Sequence, residues 1–170
     1  MAKIHLLFGE AELLIKERLT QLKRDLGGEA LNVEQIDSPR PELETLTSAL
    51  QSQSLFGGDK LVVIKYADLR LKDWEQLLTA FEQIAPGTTV VIQASNLDRR
   101  SRVFRWFSEH AEVSEFKAFS EWELEPVIAW ITNRVVANGK KIENSAARRL
   151  QEICGNDLLK LQSEIDKLIT

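Results

Sequence analysis

Short apolar runs and longer apolar stripes alternate along the first two-thirds of this chain. Runs of β type occupy Ile4 to Phe8, Ala30 to Ile36, Leu61 to Tyr66 and Thr88 to Gln93. A fifth, Glu112 to Phe116, sets Val113 and Phe116 among polar neighbours, as an edge strand does. Leu61-Val62-Val63-Ile64 and Val90-Val91-Ile92 are almost solidly apolar, which suits strands covered on both faces in a parallel sheet. Between the runs the period changes to three and four. Ile15, Leu19, Leu22 and Leu26 mark one helix, and Leu43, Leu46 and Leu50 a second, after Pro39 and Pro41. Trp74, Leu77, Leu78 and Phe81 mark a third, closed by Pro86-Gly87, and Val103, Phe104, Trp106 and Phe107 a fourth. The predicted order β-α-β-α-β-α-β-α-β is that of an open parallel sheet with helices on both faces.

After Phe119 the strand signal stops. Ser120 with Glu123 reads as a capping box, followed by a stripe of Leu124, Ile128, Ile131 and Val135 that ends near Asn138-Gly139. Ala146, Leu150 and Ile153 mark a second helix, broken at Gly155-Asn156. Leu158, Leu161, Ile165 and Leu168 mark a third. The expected organisation is an α/β domain over 1–119 and a small helical domain over 120–170, its three stripes meeting in one core. The last stripe runs almost to Thr170, so the chain reads as a piece of a longer protein.

Composition narrows the function. With 44 % hydrophobic residues in 170, the chain is long enough to bury a core without cross-links. Cys154 is its single cysteine, which excludes a disulfide scaffold, and it reads as a small buried hydrophobe. The net charge of -4 gives nucleic-acid phosphates no general attraction. No apolar run has the length of a membrane span, and the start meets a turn too early for a signal peptide, so the cytoplasm is expected.

The layout invites comparison with nucleotide-binding domains, where the first strand feeds a glycine-rich loop and a lysine that hold phosphates. With Gly9 as the first glycine, the second falls on Leu14, the lysine on Ile15 and the magnesium-binding hydroxyl on Lys16. Glu10 and Glu12 place negative charge where a triphosphate would sit. Asp68 follows the third strand too late for a magnesium ligand and suits a turn or cap. His5 and His110 lack metal-ligand spacing, and a metal site from Asp37, Asp59 and Asp68 would need a convergence the spacing does not suggest. No Gly-x-Ser-x-Gly elbow is present. No catalytic residue, cofactor or metal is expected.

Two segments suit contact with other proteins. In Ser54-Leu55-Phe56-Gly57-Gly58, two bulky apolar residues precede two glycines. Leu55 and Phe56 are either a local plug over the end of the second helix or a wedge for a partner's pocket. Arg99, Arg100 and Arg102 follow the fourth strand. They are either a solvated helix start, a subunit contact or an arginine finger. Arg105 and Glu109 read as a surface pair, and Trp106, Trp122 and Trp130 as packing residues.

The chain resembles the delta subunit of the bacterial DNA polymerase III clamp loader. The resemblance rests on Ile4-His5-Leu6-Leu7-Phe8-Gly9-Glu10 with Leu13-Leu14-Ile15, on Ser54-Leu55-Phe56-Gly57-Gly58-Asp59-Lys60 leading into Leu61 to Ile64, and on Leu97-Asp98-Arg99-Arg100-Ser101. It continues through Phe116-Lys117 and Gly155-Asn156-Asp157-Leu158 to Glu164-Ile165-Asp166-Lys167-Leu168. The resemblance implies an AAA+-like fold without functional phosphate-binding motifs, then a helical lid, then a collar domain beyond Thr170. It implies a non-catalytic subunit of a DNA-directed DNA polymerase assembly, a nucleotidyltransferase, working with the replication machinery at the nucleoid. Its implied partners are the sliding clamp (the beta subunit), the gamma/tau and delta-prime subunits, and primed DNA through the assembled complex, with no membrane. Leu55 and Phe56 would enter a pocket on the clamp, supported by Ser54, Gly57 and Gly58. The alternative is another inactive AAA+ subunit of delta-prime type, though its zinc-binding cysteines and Ser-Arg-Cys motif are absent.

Overall fold

A computed structural model describes residues 3–28, 31–53 and 58–169, which form two compact units, Met1–Phe116 and Lys117–Thr170. In the first unit β1 (Lys3–Gly9), α1 (Glu12–Asp25), β2 (Asn32–Asp37), α2 (Leu43–Gln51) and β3 (Lys60–Asp68) follow in turn. Next come α3 (Trp74–Leu77), continued by a 3₁₀ segment Leu78–Gln83, then β4 (Thr88–Asn96), α4 (Arg102–His110) and β5 (Glu112–Phe116). All strand pairs are parallel, in the order β2-β3-β4-β1-β5.

Alternation along the strands divides the unit's interior in two. Leu6 and Phe8 of β1, Val62 and Ile64 of β3, and Val90 and Ile92 of β4 face α2, α3, the 3₁₀ segment and α4. Leu7, Leu61, Val63 and Val91 face the other way and meet Ile15, Leu19 and Leu22 of α1. The apolar runs of β1, β3 and β4 are therefore solid because both faces are covered. Phe107 stands at the centre of the larger core, edge-on to Trp74, Phe81 and Trp106, an arrangement that suits the ring quadrupoles.

The observed elements correct several details of the periodicity. The strand foreseen over Ala30 to Ile36 runs Asn32–Asp37. Leu43 is exposed, and α2 buries Leu46, Ala49 and Leu50 instead. The third helix has one α turn before it tightens to 3₁₀, which still buries Trp74, Leu77, Leu78 and Phe81. Val113 packs with the larger core and Phe116 with the smaller, so β5 sends these two side chains to opposite faces.

The second unit consists of α5 (Leu124–Ala137), α6 (Asn144–Cys154) and α7 (Leu158–Ile169), each touching the other two. Val127, Ile128, Ile131 and Val135 are buried on α5, Ala147 on α6, and Leu158, Leu161 and Ile165 on α7. On α6 the structure keeps Leu150 of the predicted stripe and moves its other two positions by one. Ala146 and Ile153 are exposed, and Ala147, Leu150 and Cys154 lie on the inner side. Leu124 and Leu168 are exposed as well.

Ser120 and Glu123 form half a capping box, in which Glu123 Oε2 accepts from the Ser120 amide at 2.7 Å. That bond holds the Glu123 carboxyl below its ordinary range. The helix begins only after Glu123, so the pair closes a turn ahead of α5. Trp122, expected to pack, is 89 % exposed. Trp130 is partly covered, with the Arg134 guanidinium 4.9 Å from its ring centre.

Candidate functional site

Leu55 and Phe56, with Ser54 and Gly57, lie outside the described residues. The structure describes the residues on either side of them. On the incoming side α2 closes with the Ser52 amide donating to Ser48 O at 3.0 Å. On the outgoing side Gly58 has φ +93, a conformation that favours glycine, and Lys60 opens β3 with its amide donating to Gly87 O at 3.0 Å.

The two ends are tied together by the Lys60 side chain, which is almost fully buried. Its ammonium donates to Ala49 O at 2.8 Å and Ser52 Oγ at 2.6 Å, and pairs with Glu34 Oε2 at 2.7 Å. An ammonium at the C-terminal end of a helix meets carbonyls that lack intrahelical partners, so it supplies hydrogen bonds as well as charge. A neighbouring bond, from Ala85 N to Leu50 O at 2.9 Å, ties the β4 approach to the same helix end. In the sequence Lys60 figures only within the resemblance, and its place directly before the apolar run Leu61 to Ile64 is the local signal that marks it.

The phosphate-loop position is closed. Only Glu10 and Ala11 separate β1 from α1. The Ala11 amide donates to Phe116 O at 3.0 Å, so a donor that would face a phosphate is spent on β5. Gly9 has φ +128, and a Cβ there would stand 2.1 Å from the Phe116 carbonyl oxygen. Gly9, tested as the first glycine of a phosphate loop, is required for close passage against β5. Asp68 takes the turn role expected of it: its Oδ1 accepts from the Arg70 amide at 3.1 Å. The Arg70 guanidinium holds the Asp68 carboxyl below its ordinary range.

The arginines after β4 separate into different roles. Arg99 pairs with Glu115 of β5, its guanidinium 5.5 Å from the centre of the Phe8 ring. Arg100 gives its amide to Asp98 Oδ1 at 2.9 Å and leaves its side chain exposed. Arg102 is exposed, 3.9 Å from Glu75. Ser101 caps α4, its hydroxyl accepting from Phe104 N at 3.0 Å. Much of Leu97 to Ser101 thus shapes the turn into α4. Nearby, Arg40 pairs with Asp73 and Arg70 with Asp68, so acids neutralise much of the basic charge on the loops at this end of the sheet.

His5 is buried in β1, with Nδ1 3.3 Å from Glu112 Oε2, and His110 stacks on Trp106. Cys154 is partly buried, and burial raises its thiol pKa. Among the described residues no cluster of His, Cys, Asp and Glu has the makings of a metal site. No helix among them is long and apolar enough to cross a membrane.

Residues 5–117 match the family model of the DNA polymerase III delta subunit. The chain belongs to the DNA polymerase III delta subunit family. A probable DNA polymerase III subunit delta from Aquifex aeolicus is 22 % identical, aligned over 98 % of this chain and 49 % of its own length. The Bacillus subtilis DNA clamp loader delta protein is similar in fold, with a TM-score of 0.70 at 19 % identity over 99 % of this chain and 53 % of that one. The chain spans about half the length of these delta proteins. The five-stranded parallel sheet flanked by helices is the fold of that structure. The family match favours delta over the delta-prime alternative, and it encloses both the Ser54 to Gly58 segment and the arginines after β4.

Proposed function

We propose that this chain is the clamp-binding part of a clamp loader's delta subunit, with Leu55 and Phe56 as a wedge that enters an apolar pocket on the sliding clamp. The observation that carries the reading is the delta-family match across a segment whose incoming end, at Ala49 and Ser52, is held by the buried ammonium of Lys60, the residue that leads out of it. An apolar pair presented from a fixed base loses less entropy on docking than the same pair on a loose loop. Gly58, at φ +93, starts the return into β3, and the resemblance gives Ser54 and Gly57 a supporting role beside it.

Binding opens the ring by favouring its open conformation, and it does so only as far as the wedge prefers that state over the closed one. No hydrolysis by this chain is needed, consistent with the closed β1–α1 turn. Residues 1–119 act as the docking domain and 120–170 as the lid, with a collar domain in the parent protein joining gamma/tau and delta-prime. Primed DNA is engaged by the assembled loader in the cytoplasm. Arg100 and Arg102, both exposed and neither held as Arg99 is between Glu115 and the Phe8 ring, are the arginines suited to contact a neighbouring subunit.

The test is calorimetric titration of this chain into its cognate sliding clamp, beside the Leu55→Ala/Phe56→Ala double variant. Saturable binding that the double variant loses while keeping its thermal midpoint supports the wedge. No binding by the folded parent chain refutes it.

A further inference from the structure

A cavity of about 460 Å³ opens beside the β1–α1 turn, between α1 and the ends of β3 and β4. In this sheet β1 and β4 are adjacent, yet the helix after β1 covers one face and the helix after β4 the other. The C-terminal ends of such a strand pair form a crevice where open α/β sheets take ligands. Here the phosphate position is closed, and the open volume is displaced towards α1 and β3.

The lining is chemically sorted. Buried Ile15, Leu19 and Ala94 give an apolar floor. Lys16 and Lys23, two turns apart on α1, and Lys65 on β3 supply three ammoniums. None of the three has an ion-pair partner among the described residues, whereas Arg18, Arg40, Lys60, Arg70 and Arg99 in the same unit each pair with an acid. An apolar floor under a few polar groups is the usual make-up of a binding site in this size range.

Tyr66 completes the rim. It is the one non-glycine residue with positive φ among the described residues, at 61°, where β3 slips register against β4. A side-chain-bearing residue rarely adopts that conformation unless its surroundings hold it. Here the Ser95 hydroxyl lies 3.0 Å from Tyr66 O and 3.2 Å from Ala67 O, pinning the irregularity. The result is an exposed ring at the cavity mouth, instead of one continuing the strand.

We propose that this cavity binds an acidic peptide segment of a partner protein. An aromatic or branched aliphatic side chain of the segment rests on the floor beneath Tyr66, and its carboxylates meet Lys16, Lys23 and Lys65. Glu10 and Glu12 line the end nearest the β1–α1 turn, so the segment's carboxylates are confined to the side that Lys16, Lys23 and Lys65 line, and a nucleic-acid backbone, charged at every residue, has no neutral stretch to set against the two glutamates. The site is independent of the Leu55 and Phe56 turn. The segment that carries them leads into the N-terminal end of β3, whereas the cavity lies at the C-terminal ends of β3 and β4, so both surfaces are available at once.

The test is a nitrogen-15 NMR titration of the chain with acetyl-Glu-Asp-Trp-Asp-Glu-amide, with its neutral analogue acetyl-Gln-Asn-Trp-Asn-Gln-amide, and with oligothymidylate. Saturable shifts centred on Lys16, Thr20, Lys65 and Tyr66 are expected for the acidic peptide. Binding weakens about tenfold or more for the neutral analogue and for the Lys16→Gln/Lys65→Gln variant, the scale of losing charge-assisted contacts. Tyr66→Gly accepts φ 61 without strain, so it keeps or raises the thermal midpoint and still weakens binding. The proposal is overturned if the acidic peptide gives no saturable shifts, if they centre elsewhere, if the lysine variant binds equally well, or if oligothymidylate binds these residues more tightly.

Discussion

Lys60, the first residue of β3, donates from its buried ammonium to the carbonyl of Ala49 in the last turns of α2, at 2.8 Å. A charge is thereby buried where unpaired helix carbonyls need donors, with Glu34 as counter-ion. Both ends of the proposed clamp-docking turn inherit their positions from this one side chain.

Lys60→Met keeps the length and apolar stem and removes the donors. Stability is expected to fall by about 1–3 kcal/mol, the scale of leaving buried acceptors unsatisfied. Urea unfolding measures it. A loss within a few tenths would mean that water replaces the ammonium at no cost.

Gly9→Ala places a methyl against the Phe116 carbonyl and forces alanine to φ +128. A loss of about 3 kcal/mol or more is expected, since backbone must move and strain is added. Gly139→Ala is the control. It has positive φ but open space around the added Cβ, so its loss is smaller. Thermal denaturation of the two variants separates the crowding from the strain.

Burial lowers the His5 pKa, with nearby Glu112 raising it in opposition. The unfolded chain therefore takes up a proton near the ordinary value of about 6.5, while the folded chain does so only at lower pH. The stability linked to His5 is complete above about pH 6.5 and declines as pH falls towards the folded pKa. His5→Gln flattens that decline. Glu112→Gln removes the raising partner and lowers the His5 pKa further, which imidazole NMR resolves because the chain has only two histidines.

Arg99→Ala loses an ion pair and a ring contact and is expected to cost about 0.5–1 kcal/mol. Arg100→Ala removes a solvated side chain and leaves the melting temperature unchanged within error. If Arg100 serves a neighbouring subunit, its variant weakens assembly of the complete loader without this stability loss. Melting curves and sedimentation of the reconstituted loader check the pair of outcomes.

Local rhythm identified most of the architecture. The solid runs of β3 and β4 announced strands covered on both faces, and the stripe of α1 announced the helix that covers one of them. Short-range polar signals were legible as well, with Asp68 at its turn and the break at Gly155, whose φ is 70°. The phase of α6 was not legible, because Ala146 and Ala147 are alike to a periodicity and only the neighbouring helices decide which is buried. Trp122 reads as packing because basic residues do not alternate with aromatics around it, but its turn precedes α5 and leaves it exposed.

The amino-acid order by itself determined the α/β alternation, the helical tail and the loss of the phosphate-loop residues, because these depend on side chains within a turn or two of one another. Tertiary structure alone decided that β1 lies between β4 and β5, that Gly9 must be glycine because Phe116 passes beside it, and that Lys16, Lys65, Tyr66 and Ser95 share one cavity. Strand order and close backbone approach are settled by which faces can be buried together, a property of the whole packed unit that no local window of sequence contains.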